Sequence, residues 1–62
     1  MYNITNVVVN GNVILCNVDG NEYSLEFDRS DTLCVVLINN EEVIDYCEDL
    51  IEAIIDMSFE LS

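Results

Sequence analysis

The chain has 62 residues, is 52% hydrophobic and carries a net charge of −12, with thirteen Asp and Glu against the single base Arg29 and no His. Such a balance excludes direct contact with nucleic acid or an anionic membrane, both of which are held by Lys and Arg. It also leaves no cationic neighbour to activate a thiol and no acid–base pair with separated pKa values, so an enzyme is not expected.

A chain of this length allows one domain, spanning 1–62, which buries only about 60% of the surface its unfolded form exposes. Its content of Val, Ile and Leu argues for a folded chain despite the charge. Cys16, Cys34 and Cys47 lack CxxC spacing and read as buried, reduced thiols. Met1-Tyr2-Asn3 opens the chain without a basic segment or a long apolar run, so a soluble cytoplasmic protein is expected.

In chain order, Asn10-Gly11 and Asp19-Gly20 are dipeptides preferred in type I′ hairpin turns. They predict strands near 2–9, 12–18 and 21–27, with Val9 facing Asn12 and Val18 facing Asn21. The pleat then sends Val7, Val9, Ile14, Cys16, Val18, Tyr23, Leu25 and Phe27 to one face. The opposite face receives Tyr2, Ile4, Asn6, Val8, Val13, Leu15 and Asn17, together with Glu22, Ser24 and Glu26. The first face is the better core, because acids and amides gather on the second.

Asp28-Arg29-Ser30-Asp31 reads as a polar turn, clamped by Arg29 against a neighbouring acid. A fourth strand at 32–38 follows, apolar enough to be buried on both faces. Asn39 or Asn40 then caps a helix predicted over 41–57. On that helix Glu41, Glu42, Asp45, Glu48, Asp49, Glu52 and Asp56 fall within an arc of about 120°. Val43, Ile44, Tyr46, Cys47, Leu50, Ile51, Ala53, Ile54, Ile55 and Met57 occupy the remainder, which suits the helix to lie across the first sheet face.

The predicted fold is therefore α+β, a four-stranded antiparallel meander with one C-terminal amphipathic helix on one face, and a tail at 59–61. The second face retains an apolar band of Tyr2, Ile4, Val8, Val13 and Leu15, which makes a homodimer through that face or through the edge strands an expectation.

The acidic helix carries the strongest functional signal. A surface helix gains stability from Glu and Lys four residues apart, whereas acids at that spacing oppose it by a few tenths of a kcal/mol per pair. The predicted helix sets acid on acid at 41/45, 45/49, 48/52 and 52/56, and it ends in acids where the macrodipole disfavours them. Rows of carboxylates about 6 Å apart can imitate the phosphates of a nucleic-acid strand. The expected partner-binding residues are thus Glu41, Glu42, Asp45, Glu48, Asp49, Glu52 and Asp56, with Asp28 and Asp31 as a second patch.

Loops of EF-hand type starting at Asp19 or Asp28 fail; in the second, Leu33 stands where Gly is needed and Asn39 where the bidentate acid belongs. No metal and no cofactor are expected. In size, charge density and the acidic stretch 41–56, the chain resembles the small acidic nucleic-acid mimics encoded by phages, including anti-CRISPR and anti-restriction inhibitors. That resemblance implies an inhibitor acting in the host cytoplasm on the basic surface of a nucleic-acid-binding protein or nuclease complex. The alternative expectation is a structural or assembly subunit that binds its partner through the hydrophobic sheet face.

Overall fold

The computed structural model describes residues 2–61, as an antiparallel sheet with one C-terminal helix packed against it. The strands are β1 (Ile4–Asn10), β2 (Val13–Val18), β3 (Asn21–Phe27), β4 (Leu33–Ile38) and β5 (Glu41–Glu42), side by side in chain order. The helix α1 (Glu48–Leu61) lies across β1 and β2. The expected α+β meander with a covering helix is present, but the sheet has five strands, and the helix starts at Glu48 and runs through the expected tail.

The β2–β3 hairpin follows the turn chemistry of its sequence. Val18 pairs with Asn21, and both turn residues adopt positive φ, Asp19 at 49° and Gly20 at 89°. The β1–β2 turn differs from expectation. Asn10 pairs with Val13, so the loop is Gly11-Asn12, with Gly11 at φ 63° in the first central position, as a type II′ turn requires. Because pairing moves from Val9 opposite Asn12 to Val9 opposite Ile14, each residue near the turn keeps its predicted face.

Further back along β1 the alternation breaks. Thr5 pairs with Asn17 and Val8 with Leu15, leaving Asn6 and Val7 opposite Cys16 alone. Asn6 takes the positive φ of 55° that allows this bulge. The extra residue turns Ile4, predicted on the second face, towards the core, where it sits opposite Val18 and packs with the buried cluster. A second bulge falls at Cys34, since Glu26 pairs with Val35 but Phe27 with Leu33. It leaves Cys34 exposed and puts Leu33 against the core with Val36 and Ile38. The other side of β4, Val35 and Leu37, is only half-buried, so this strand is not sealed on both faces as expected.

The largest correction concerns 39–47. Asn39 and Asn40 adopt φ of 52° and 67° and form a hairpin turn, so Ile38 pairs with Glu41 and Leu37 with Glu42. Asn39 also brackets Glu22: its N–H donates to the Glu22 carbonyl at 2.8 Å, and its Oδ1 accepts the Glu22 N–H at 3.0 Å. Asn tolerates the left-handed region better than most residues, and the Asn39 amide is taken up by Glu22 and Asn21 on β3 instead of by the first turn of a helix. It consequently serves the sheet in place of a helix cap. Residues 43–47 are irregular, which leaves Ile44 94% exposed where the helical pattern predicted a core position.

The core lies between α1 and the sheet and contains Ile14, Cys16, Val18, Leu25, Val36, Leu50, Ile51 and Ile54. Leu25 and Ile54 are completely enclosed, and burial of each such side chain contributes about 1.5–3 kcal/mol. Ser58 joins the buried face of α1 by donating its hydroxyl to the Ile55 carbonyl at 2.7 Å.

Candidate functional site

The apolar side of α1 is fixed by Leu50, Ile51 and Ile54, so the side that remains faces outward. Along it Glu48, Glu52, Asp56 and Glu60 follow one another every fourth residue, flanked by Asp49, and all are exposed. These positions span an arc of about 120° and a length of about 18 Å. Glu60 was missed from the sequence because the predicted helix stopped at 57; a longer reading of the same period would have found it.

The other expected site residues are exposed but dispersed. Glu41 and Glu42 sit on the edge strand β5, pointing to opposite sides of the sheet, and Asp45 lies in the irregular segment before α1. Asp28 and Asp31 lie in the β3–β4 turn. There Asp28 has a structural task, its Oδ1 accepting the N–H groups of Ser30 and Thr32 at 2.8 and 2.9 Å. This carboxylate closes the turn that Arg29 was expected to clamp. All thirteen acids of the chain, Asp19, Glu22 and Glu26 included, are exposed.

The later helix start changes the electrostatic balance. The 41/45 and 45/49 pairs are not helical neighbours, while 48/52 and 52/56 remain and 56/60 is added. Glu48 and Asp49 occupy the first turn, where the helix dipole favours them; the last turn has no base. The electrostatic penalty is therefore concentrated in the C-terminal half of α1.

Cys47 provides the helix cap. Its carbonyl accepts the Ile51 N–H at 3.1 Å, and its Sγ lies 3.3 Å from the Tyr2 hydroxyl. Donation from Tyr2, with further bonds from the Leu50 and Asp49 N–H groups, holds the thiol below its ordinary pKa. The same bond raises the Tyr2 phenol. Cys16 is buried and its thiol is pushed up by desolvation; Cys34 is raised by desolvation and by the charges of Asp28 and Glu26. The three thiols are free, but only Cys16 is buried, contrary to the expectation for all three.

Two concavities flank the core. One, of about 250 Å³, lies on the open sheet face between Asn6, Leu15, Asn17, Glu22, Leu37 and Asn40. The other, of about 320 Å³, lies at the end of α1 between Val9, Ile14, Phe27, Asp31 and Phe59. Among the described residues no group of three or more Cys, Asp or Glu is arranged to hold a metal ion, and no helix is long and apolar enough to cross a membrane. Compared with family models, curated proteins and solved structures, the chain matches none.

Proposed function

We propose that the protein is a nucleic-acid-mimicking inhibitor that occupies a basic DNA- or RNA-binding surface of another protein. The observation that carries this reading is the row Glu48, Glu52, Asp56 and Glu60 on the outer side of α1, with Asp49 beside it. Each carboxylate is a partner for a Lys or Arg of the target, and the negative outer side of α1 steers such a target into contact. Glu41, Glu42, Asp45 and Asp31 widen the same field. Like the phage inhibitors it resembles, the protein would act in the host cytoplasm against a defence nuclease.

The test is affinity capture from nuclease-treated host lysate, washed at low and high salt, followed by competition with an oligonucleotide. Binding should fall at least tenfold in the Glu48→Lys, Glu52→Lys double variant, weaken with salt as the Debye length shrinks, and be reversed by the oligonucleotide. Capture that survives high salt and the charge reversal would refute the mimic. A second reading, a subunit docking through the open sheet face, is favoured by Val8 and Leu15, which are 53% and 42% exposed there.

A further inference from the structure

The charge of this chain is segregated. Every charged side chain lies from Asp19 onward, and residues 1–18 have none. These residues include β1 and β2, so the boundary runs through the sheet between β2 and β3. The uncharged half also exposes the large apolar side chains Tyr2, Val8, Val9 and Leu15. Val8 and Leu15 are direct cross-strand partners on the face away from α1, beside half-buried Val13.

We propose that the open face of β1 and β2 is a self-association surface whose occupant is a second copy of this chain, docked about a two-fold axis with Val8 and Leu15 at the centre. Glu22 and Glu26 project from the same face one strand away on β3, so carboxylates border this patch without lying in it, and a cationic partner would be drawn to that border rather than to Val8 and Leu15. A second copy presents the same uncharged apolar surface, which makes the contact self-complementary.

The geometry also keeps the acids apart. With the axis along the strands, between β1 and β2, the two β3 strands stand three strand spacings apart, about 14 Å. That exceeds the Debye length of about 8 Å at physiological salt. Docking through α1 or through β3 to β5 would instead place like charges against each other. Edge-to-edge pairing of β1 is disfavoured by the bulge at Asn6, which interrupts the ladder an incoming strand needs. The patch is two strands wide and about 23 Å long. It is therefore smaller than the roughly 800 Å² per partner of a stable complex, so the dimer is weak and reversible.

This inference goes beyond the inhibitor reading, and its salt dependence has the opposite sign. Screening relieves repulsion between two copies of charge −12, so the dimer should tighten with salt while binding through the acidic row weakens. Sedimentation velocity under reductant, which excludes disulfide dimers through Cys34 or Cys47, should show a monomer–dimer equilibrium. Its dissociation constant should fall several-fold from low to high salt. Leu15→Asp should raise that constant at least tenfold with the circular dichroism spectrum unchanged. Val8→Ser, at the more exposed position, should raise it several-fold and decides the matter if Leu15→Asp unfolds. A monomer at all micromolar concentrations, a dimer that weakens with salt, or one indifferent to Val8→Ser would overturn the proposal.

Discussion

The first hairpin and the C-terminal helix enclose the same core, yet they solve the problem of meeting water differently. The outward side of α1 is lined with carboxylates around the exposed Phe59, whereas β1 and β2 meet solvent with Asn, Thr and exposed Val and carry no charge. The contrast teaches that a net charge of −12 need not be spread over a small fold to be tolerated. The acids lie on β3, β5, the turns and α1, while β1 and β2 remain free to make apolar contacts.

The largest test of this comparison strikes the residue that joins the two regions. Ile54 is completely enclosed against the sheet, and Ile54→Ala should destabilise the protein by about 2–5 kcal/mol. Urea unfolding followed by hydrogen exchange reads the result. Equal loss of protection in β2 and α1 means that they form one cooperative unit; a protected hairpin beside an exchanging helix would separate them.

A smaller effect sharpens the electrostatic side. Glu60→Lys places a base four residues after Asp56 and at the negative end of the helix dipole, and should raise stability by about 0.5–1 kcal/mol. The gain should shrink in high salt, and a gain that salt leaves unchanged would contradict an electrostatic origin. The smallest effect concerns the point where the two regions touch, Tyr2 and Cys47. Iodoacetamide should modify Cys47 at lower pH than Cys34, with Cys16 last, and Tyr2→Phe should move the Cys47 profile upward. The sign for stability follows from linkage. A thiol with a depressed folded pKa contributes above its unfolded pKa, and the contribution is lost as pH falls through the folded value. Mass spectrometry of alkylated peptides across pH checks the order.

Much of the sheet was legible because its signals are local. Asp19-Gly20 announces a turn whose two residues need positive φ, and it carried the β2–β3 register correctly. The type II′ turn at Gly11-Asn12 was misread as Asn10-Gly11, but a register change that preserves parity does no harm to face assignments. Asn6 and Cys34 gave no such warning, since nothing in the residues themselves requires a bulge there. The N-terminus of α1 was obscured by Asn39-Asn40, which suits a helix cap and a left-handed turn equally. It was obscured further by Glu41, Glu42 and Asp45, whose spacing fits a helical period without belonging to one. Of the expected acidic surface, the part from Glu48 to Asp56 stands on α1, because there the same pattern is anchored by Leu50, Ile51 and Ile54.

The bulge at Asn6 makes β1 a strand with two phases. Up to Thr5 its alternation is set by Val18 and Asn17; from Val8 onward it is set by Leu15 and Ile14. Deleting this single residue would restore one phase throughout and rotate Ile4 and Tyr2 to the opposite side of the sheet. The helix would then lose the hydroxyl at its capping sulfur, and the uncharged face would gain two large side chains. One codon thus stands between two allocations of the same strand, one serving the core and the other the surface.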